Sequence, residues 1–526
     1  MKSKWAWTCV LTIAMLAGCA EEPAQGPEAG RALLDEVADS MGGWEALSAI
    51  ERQEFITQGN DFAPLQAPEP GVVLQSNGFG QTTLIDYNGP AVRVEFDAER
   101  TYPGPAPVVF TEVIEGDVGA LLGADEEGNP TARRMQGSRV AARLRDFNRL
   151  PRQLPFTARD AADLTRSEDR VIDGQTYRVL HYTDGANPVE VLVDSFTSLP
   201  ARVIYTETDP LLGDYLNEIT YLDWRDTQVP TGAEELLTAR MPFGQRITMN
   251  GDTLREEAYR NVINNGTFPD GAMNIPQDVR DADEPGQRIV GQWTLRRAHM
   301  GLAGQAWGDP EPNVQTDELA PGILHIRGGS HHSLAVEMAD HIVVVEAPLL
   351  EERSQAVIQA IEQSFPGKPV RYVVSTHFHF DHSGGIRTYA ANGATVVVHE
   401  SIVPFITSVL ENPSTIRPDM LTESGVTPTV EGVAETMDLT DGVRTVQVWH
   451  VPNEHATGML MAYIPSERLA FVSDLYSPPA PPQPENANAR AFYDAVVNNG
   501  LDVDRVVGGH GGPAGSFQVL ADVFGE

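Results

Sequence analysis

Hydrophobic and polar positions along the chain follow two rhythms in succession. Leu33, Leu34, Val37, Met41 and Leu47 recur near helical spacing and predict a helix over 31–50. A period of two then takes over. The runs 81–87 and 91–96 flank Asn88-Gly89, a strong hairpin signal. The runs 177–182, 189–193 and 201–205 predict three more strands, separated by Asp184-Gly185 and by Ser198-Leu199-Pro200. A helix is expected to interrupt this region at 138–147. Polar turn formers at Phe268-Pro269-Asp270-Gly271 and 281–286 mark a linker, with a short helix expected near 293–307. Beyond 313 the pattern alternates. Strands are predicted at 322–326, 333–338, 341–345, 371–374, 394–398, 445–451, 459–464 and 469–472. A helix at 351–365 sets Val357, Ile358, Ile361 and Phe365 on one face. The expected class is α+β, with a β-rich domain over 31–270, a linker over 271–312, and a layered domain over 313–526 whose chemistry sits at strand ends.

A length of 526 residues fits more than one domain, and 47 Gly with 38 Pro fit a turn-rich globular protein. The first residues read differently. Lys2 and Lys4 precede an apolar run, 5–16, that is too short to cross a bilayer comfortably. Leu16-Ala17-Gly18-Cys19 resembles the lipobox of bacterial lipoproteins. The resemblance implies a signal peptide over 1–18, lipidation of Cys19, a polar tether over 19–30, and a membrane partner reached through the lipid. Such an anchor holds by burying acyl methylenes at about 0.8 kcal/mol each. Ala20 after the cysteine points, by the same resemblance, to the periplasmic face of the outer membrane. The alternative is an ordinary secretory signal with an incidental cysteine. The two cysteines, Cys9 and Cys19, both fall at this end, so the mature chain offers neither a disulfide nor a thiolate ligand. The net charge of −37 repels phosphate backbones and argues against a nucleic-acid partner.

The chemistry concentrates in Ser375-Thr376-His377-Phe378-His379-Phe380-Asp381-His382-Ser383-Gly384-Gly385. Three imidazoles and a carboxylate lie just after an apolar run and just before two glycines, which predicts a strand ending in a loop that opens a helix. Neutral imidazole and carboxylate are the ligands a catalytic zinc ion takes. His377 and His379 alternate and point to one side of an extended loop, while Asp381 and His382 reach toward a second ion. The competing reading is a solvated histidine-rich loop, or core histidines satisfied by hydrogen bonds.

This stretch matches the H-x-H-x-D-H signature of the metallo-β-lactamase superfamily, which the region 313–526 resembles. The resemblance implies an αββα sandwich and supplies further candidates in order: His455 in Asn453-Glu454-His455-Ala456-Thr457-Gly458, Asp474 after a strand of a hairpin turned at 465–468, and His510 in Gly508-Gly509-His510-Gly511-Gly512. It implies two zinc or other divalent transition-metal ions. His377, His379 and His455 would hold one ion, Asp381, His382 and His510 the other, and Asp474 would bridge them. Asp381 would also orient the attacking water or carry a proton. The chain departs from the family in carrying Glu346 where Asp is usual, and a supporting hydrogen bond from it is expected to survive. His332 and Tyr476 are candidates for substrate contact. His331, like His332, is expected on the surface or behind the site, and His399 and His450 in structural roles.

The bridging carboxylate favours ester, thioester or lactone hydrolysis of a small molecule, since thioesterases of the glyoxalase-II type and lactonases resemble this chain at that position. A zinc β-lactamase is the alternative enzyme. A non-catalytic envelope lipoprotein binding lipid or a protein partner is the alternative of another class. The β-rich region, faintly similar to lipoprotein carriers around Val193-Asp194-Ser195 and Leu199-Pro200-Ala201-Arg202, carries no catalytic constellation of its own, and scattered charges such as Arg133, Arg134 and Arg143 are expected on a solvated face rather than in a binding site. Oligomeric state stays open.

Overall fold

The computed structural model describes residues 25–101, 105–123, 132–135, 137–232, 236–283, 312 and 314–525. The expected signal segment, Cys19 and the helix expected near 293–307 lie outside these described residues. The helix expected over 31–50 starts earlier and is split into Pro27–Ser40 and Gly43–Ala49, so 27–30 of the expected tether are helical. Proline suits the first turn, where its missing N–H would be unpaired anyway. Gly42 and Gly43, at φ 114° and 86°, make the break in a conformation that glycine reaches without steric cost.

A 14-stranded sheet follows, antiparallel throughout. The chain leaves its middle at Arg52–Phe62 and meanders outward through Gln75–Asp86, Ala91–Arg100 and Ala106–Glu115 to one edge. It re-enters at the other edge and returns through Gln175–Asp184, Asn187–Asp194, Pro200–Asp209, Gly213–Pro230 and Leu236–Met249. Asp252–Asn264 then pairs with Arg52–Phe62. The expected hairpin across Asn88-Gly89 is present, with Asp86 opposite Ala91. Period-two alternation puts Leu180, Tyr182, Val191, Val203 and Tyr205 on one face, where Leu33, Leu34, Val37 and Leu154 cover them, together with Phe147 of the helix Gly137–Asn148. Arg143, expected on a solvated face, is buried instead. With Arg139 it brackets Glu112, at 2.6 Å from Arg143 Nε to Glu112 Oε2. Burial opposes ionisation of Glu112, but the two guanidiniums outweigh it and hold the carboxyl down at about 2.

The remaining residues build two sheets face to face. The first, of seven strands, runs Gln315–Ala320, Ile323–Arg327, Ser333–Glu337, Ile342–Val345, Val370–Val374, Thr395–His399 and Thr429–Val433. Its last four strands are parallel, joined by crossovers that carry the helices Glu351–Ser364, Ile386–Ala391 and Val403–Glu411. The second sheet, of six strands, includes Thr445–His450, Leu460–Ile464, Leu469–Phe471 and Arg505–Val507. Val336, Val343, Val345 and Val374 meet Val448, Leu460, Ile464 and Phe471 in a core that, among the described residues, contains no helix residue. Val357 and Ile361 pack on the outer face of the first sheet, and Phe492, Val496 and Leu520 on that of the second. The result is the expected α+β molecule: a β-rich N-terminal region and a C-terminal αββα sandwich. The two regions touch, for Asp214 N–H donates to the Pro413 carbonyl at 2.8 Å and Asn412 Nδ2 to the Leu212 carbonyl at 2.6 Å.

Candidate metal centre

Strand Val370–Val374 delivers the histidine cluster into an extended loop, and the helix Phe380–Ser383 begins inside the motif. Helical backbone carries Asp381 and His382 round from the loop that holds His377 and His379. Gly384 is required by space. A Cβ there would sit 2.1 Å from the Leu349 carbonyl oxygen.

The seven candidate ligands converge from four chain segments. Ring nitrogens of His377, His379 and His455 lie within 4.8 Å of one another. Asp381, His382 and His510 form a second group with His331 under the same limit. Asp474, in a turn that follows Leu469–Phe471, stands between the groups. Its Oδ1 is 3.0 Å from His382 Nε2 and 3.1 Å from His510 Nε2, and its Oδ2 is 3.2 Å from His455 Nε2 and 4.0 Å from His377 Nε2. His377, His379 and His382 have no exposure, whereas His510 is about a third exposed, so the centre opens on the His510 side.

Supporting bonds orient the rings. Glu346 is wholly buried at φ 65° and accepts from Thr376 Oγ1 at 2.7 Å, from Ser473 Oγ, and from His382 Nδ1 at 3.1 Å. The longer acid in the usual aspartate position therefore keeps its hydrogen bond, and His382 Nε2 faces the cluster. His510 Nδ1 donates to the Ser330 carbonyl at 2.8 Å. Asn453 Oδ1 accepts from the backbone N–H of His455 and Ala456 at 2.8 and 3.0 Å, which shapes the turn that presents His455.

Electrostatics divide the rings. Burial, then the neighbouring His382 and His379, hold His377 well below the usual imidazole range; burial and His455 bring His379 to about 4. Burial opposes charge on His382 as well, but Asp474, Glu346 and Asp381 outweigh it and raise it well above that range. Burial would raise Asp474, yet the surrounding imidazoles, His382 first, hold it well below the carboxylate range.

The donor set fits divalent transition metals. Among the described residues, His377 Nε2 and His379 Nδ1 are buried with no hydrogen-bond partner, and His455 Nε2 faces the Asp474 carboxylate without a well-directed bond. A buried, unsatisfied polar atom costs about 1–3 kcal/mol. Convergent nitrogen lone pairs beside an ionised carboxylate are what a borderline cation satisfies.

The histidine pair at 331–332, expected together on the surface or behind the site, divides. His331 enters the second group, with Nε2 3.2 Å from Asp381 Oδ2, while His332 turns to His325 at 3.1 Å. Tyr476 gives its hydroxyl to the Ala480 carbonyl at 2.7 Å, so it is held in a local turn. His399 and His450 lie against each other, with ring centroids 4.1 Å apart and planes tilted by 36°. Three residues that no local signal marked also reach the centre. They are Gln66, Ala67 and Pro68, from the loop between Arg52–Phe62 and Gln75–Asp86.

Comparison with known proteins agrees with this domain. Residues 345–510 match the family model described as the metallo-beta-lactamase superfamily, so the C-terminal sandwich carries a domain of that superfamily. A curated relative is the 2,4-dinitroanisole O-demethylase subunit alpha of Nocardioides sp. (strain JS1661), 25% identical over 174 residues. That match covers 33% of this chain and 48% of the relative, so the chain spans about half the relative's length. Similar solved structures include a metallo-beta-lactamase from Pontibacter korlensis, at 18% identity and TM-score 0.32, covering 40% of this chain and 97% of that one. Another is the metallo-beta-lactamase FIM-1 from Pseudomonas aeruginosa in its mono-zinc form, at 15% identity and TM-score 0.32, covering 41% and 94%.

Proposed function

We propose that the sandwich is a dinuclear, zinc-dependent hydrolase acting on an ester, thioester or lactone of a small molecule, in an exported protein held to the bacterial envelope by lipid on Cys19. The observation that carries this reading is the position of Asp474, whose two oxygens address different groups of imidazoles. His377, His379 and His455 would hold one ion, Asp381, His382 and His510 the other, and Asp474 both. A bound pair of divalent ions supplies water acidified toward a pKa of about 7 and polarises the carbonyl under attack.

The chain's own groups do the rest. Glu346 keeps a proton on His382 Nδ1, which leaves Nε2 available. Asp381 is ionised and tied at Oδ1 by Gln66, so Oδ2 is the atom that orients a water or carries its proton to the leaving group. Buried rings at 377 and 379 form a dry floor, and substrate enters from the more exposed His510 side.

Metal analysis and a substrate panel test this on the purified protein. About two zinc ions per chain, with turnover of a thioester or lactone, is the expected result. Turnover of a cephalosporin alone would favour the zinc β-lactamase. The panel includes an aryl methyl ether, because the Nocardioides relative is named for O-demethylation, and a phosphodiester. Full zinc with no turnover of any substrate would favour an envelope binding module. Incorporation of labelled palmitate, lost in Cys19→Ser, tests the anchor.

A further inference from the structure

Three consecutive residues of a loop between strands of the N-terminal sheet touch two segments of the metal centre, one at 379–381 and one at 457. Gln66 Nε2 donates to Asp381 Oδ1 at 2.7 Å. The Ala67 carbonyl lies 3.0 Å from His379 Nε2. The Pro68 carbonyl accepts from the backbone N–H of Thr457, two residues past His455, at 2.6 Å. We propose that residues 66–68 of the loop 63–74 are a structural part of the metal centre, in which Gln66 and the Ala67 carbonyl are positioning groups for Asp381 and His379. The inference rests on the metal-dependent reading above and deepens it.

The chemistry of each contact is directional. A carbonyl oxygen only accepts, so the bond to Ala67 requires the proton of neutral His379 to sit on Nε2. Its Nδ1 then carries the lone pair, and Nδ1 is the atom left buried and partnerless toward His377 and His455. A partner on the far nitrogen of a metal-binding imidazole fixes its tautomer and ring plane, and losing such a partner typically costs about 10–100-fold in metal affinity. Gln66 acts on the other group. Its amide takes Asp381 Oδ1 and leaves Oδ2 toward His331 and His382.

The loop is built to hold this shape. Pro64, Pro68 and Pro70 fix three φ angles before folding, which lowers the entropy lost on ordering. Its ends are closed by Ala63 N–H on the Leu74 carbonyl at 2.8 Å. Leu65, nearly buried, sits at φ 67°, a conformation costly for a branched side chain that persists only where its surroundings impose it. Ala67 is fully buried.

The test compares four full-length proteins: wild type, Gln66→Met, a variant with residues 64–72 replaced by an equal length of Gly and Ser, and Glu69→Gln as an exposed control. Zinc affinity is read by chelator competition, the visible spectrum is read after cobalt substitution, and the fold is checked by melting. Wild type and Glu69→Gln should bind two ions alike. Gln66→Met should weaken one ion by about 10–100-fold and change the cobalt spectrum, with melting unchanged. The loop replacement should weaken both. Equal affinities and spectra in wild type and Gln66→Met overturn the inference while leaving the hydrolase reading intact, and this holds even if the loop replacement fails to fold. Wild type that takes up no metal overturns both.

Discussion

Glu346 Oε2 lies 3.1 Å from His382 Nδ1, with neither side chain exposed, and its other oxygen gathers the hydroxyls of Thr376 and Ser473. One carboxylate thus ties a ring of the second group to residues flanking His377 and Asp474. Glu346→Ala leaves His382 and two hydroxyls without their acceptor, and breaking a buried pair costs about 3–5 kcal/mol. The expected result is a fall in unfolding free energy of that order by urea titration, with loss of bound metal. Unchanged stability would mean the pair is dispensable.

Asp474→Asn keeps the size of the side chain and removes its charge. With the bridging position neutral, metal content should drop from two ions toward one, and kcat/KM should fall by about 100-fold or more, the scale of losing a metal-supporting group together with its ion. Metal analysis beside steady-state kinetics checks it. Full activity at full metal content would remove Asp474 from the centre.

Gly384→Ala places a methyl 2.1 Å from the Leu349 carbonyl oxygen and 2.7 Å from that of Phe380. Both obstacles are backbone, so the helix Phe380–Ser383 must shift. A stability loss of about 1–3 kcal/mol is expected, as for overpacking in a tight core. Weakened metal uptake should accompany it, and a melting curve with a zinc titration reads both.

The metal-stripped protein should lose stability as it is acidified from about pH 6.5 to 4. His379 has a folded pKa near 4, held down by burial and His455, against about 6.5 when unfolded. Between those values the unfolded chain binds a proton that the folded one refuses, so unfolding gains with each step down in pH, and this contribution stops below about 4. His382 has the opposite sign. Its folded pKa is raised, so its contribution is full below about 6.5 and fades as pH rises through the raised value. Melting temperatures of chelator-treated protein over this range test the first effect, and His379→Asn should flatten the acid slope. Stability that grows on acidification would contradict it.

Local signals in the chain were enough for much of this molecule. Two-residue alternation and Asn88-Gly89 foretold the hairpin, and an apolar run foretold Ile342–Val345, because a strand buried on both faces excludes polar side chains. The candidate ligands were legible because each stands at a strand end or in a glycine-rich turn, where spacing in sequence becomes spacing in the site. His331 and His332 were not separable, since neighbouring residues in a loop diverge according to what packs on each side, here Asp381 for one and His325 for the other. Arg143, on a helix, was misjudged for a similar reason, its partner Glu112 lying 31 residues away on a strand.

By itself the sequence determined the order of elements and the kinds of atoms offered at the centre, because both follow from periodicity and side-chain chemistry within a few residues. Tertiary structure alone decided that Gln66 would meet Asp381, 315 residues downstream, and that the Ala67 carbonyl would set the tautomer of His379. Nothing in a backbone carbonyl or an ordinary glutamine announces such a role; it arises only when two independently patterned regions pack and their loops come within hydrogen-bonding reach.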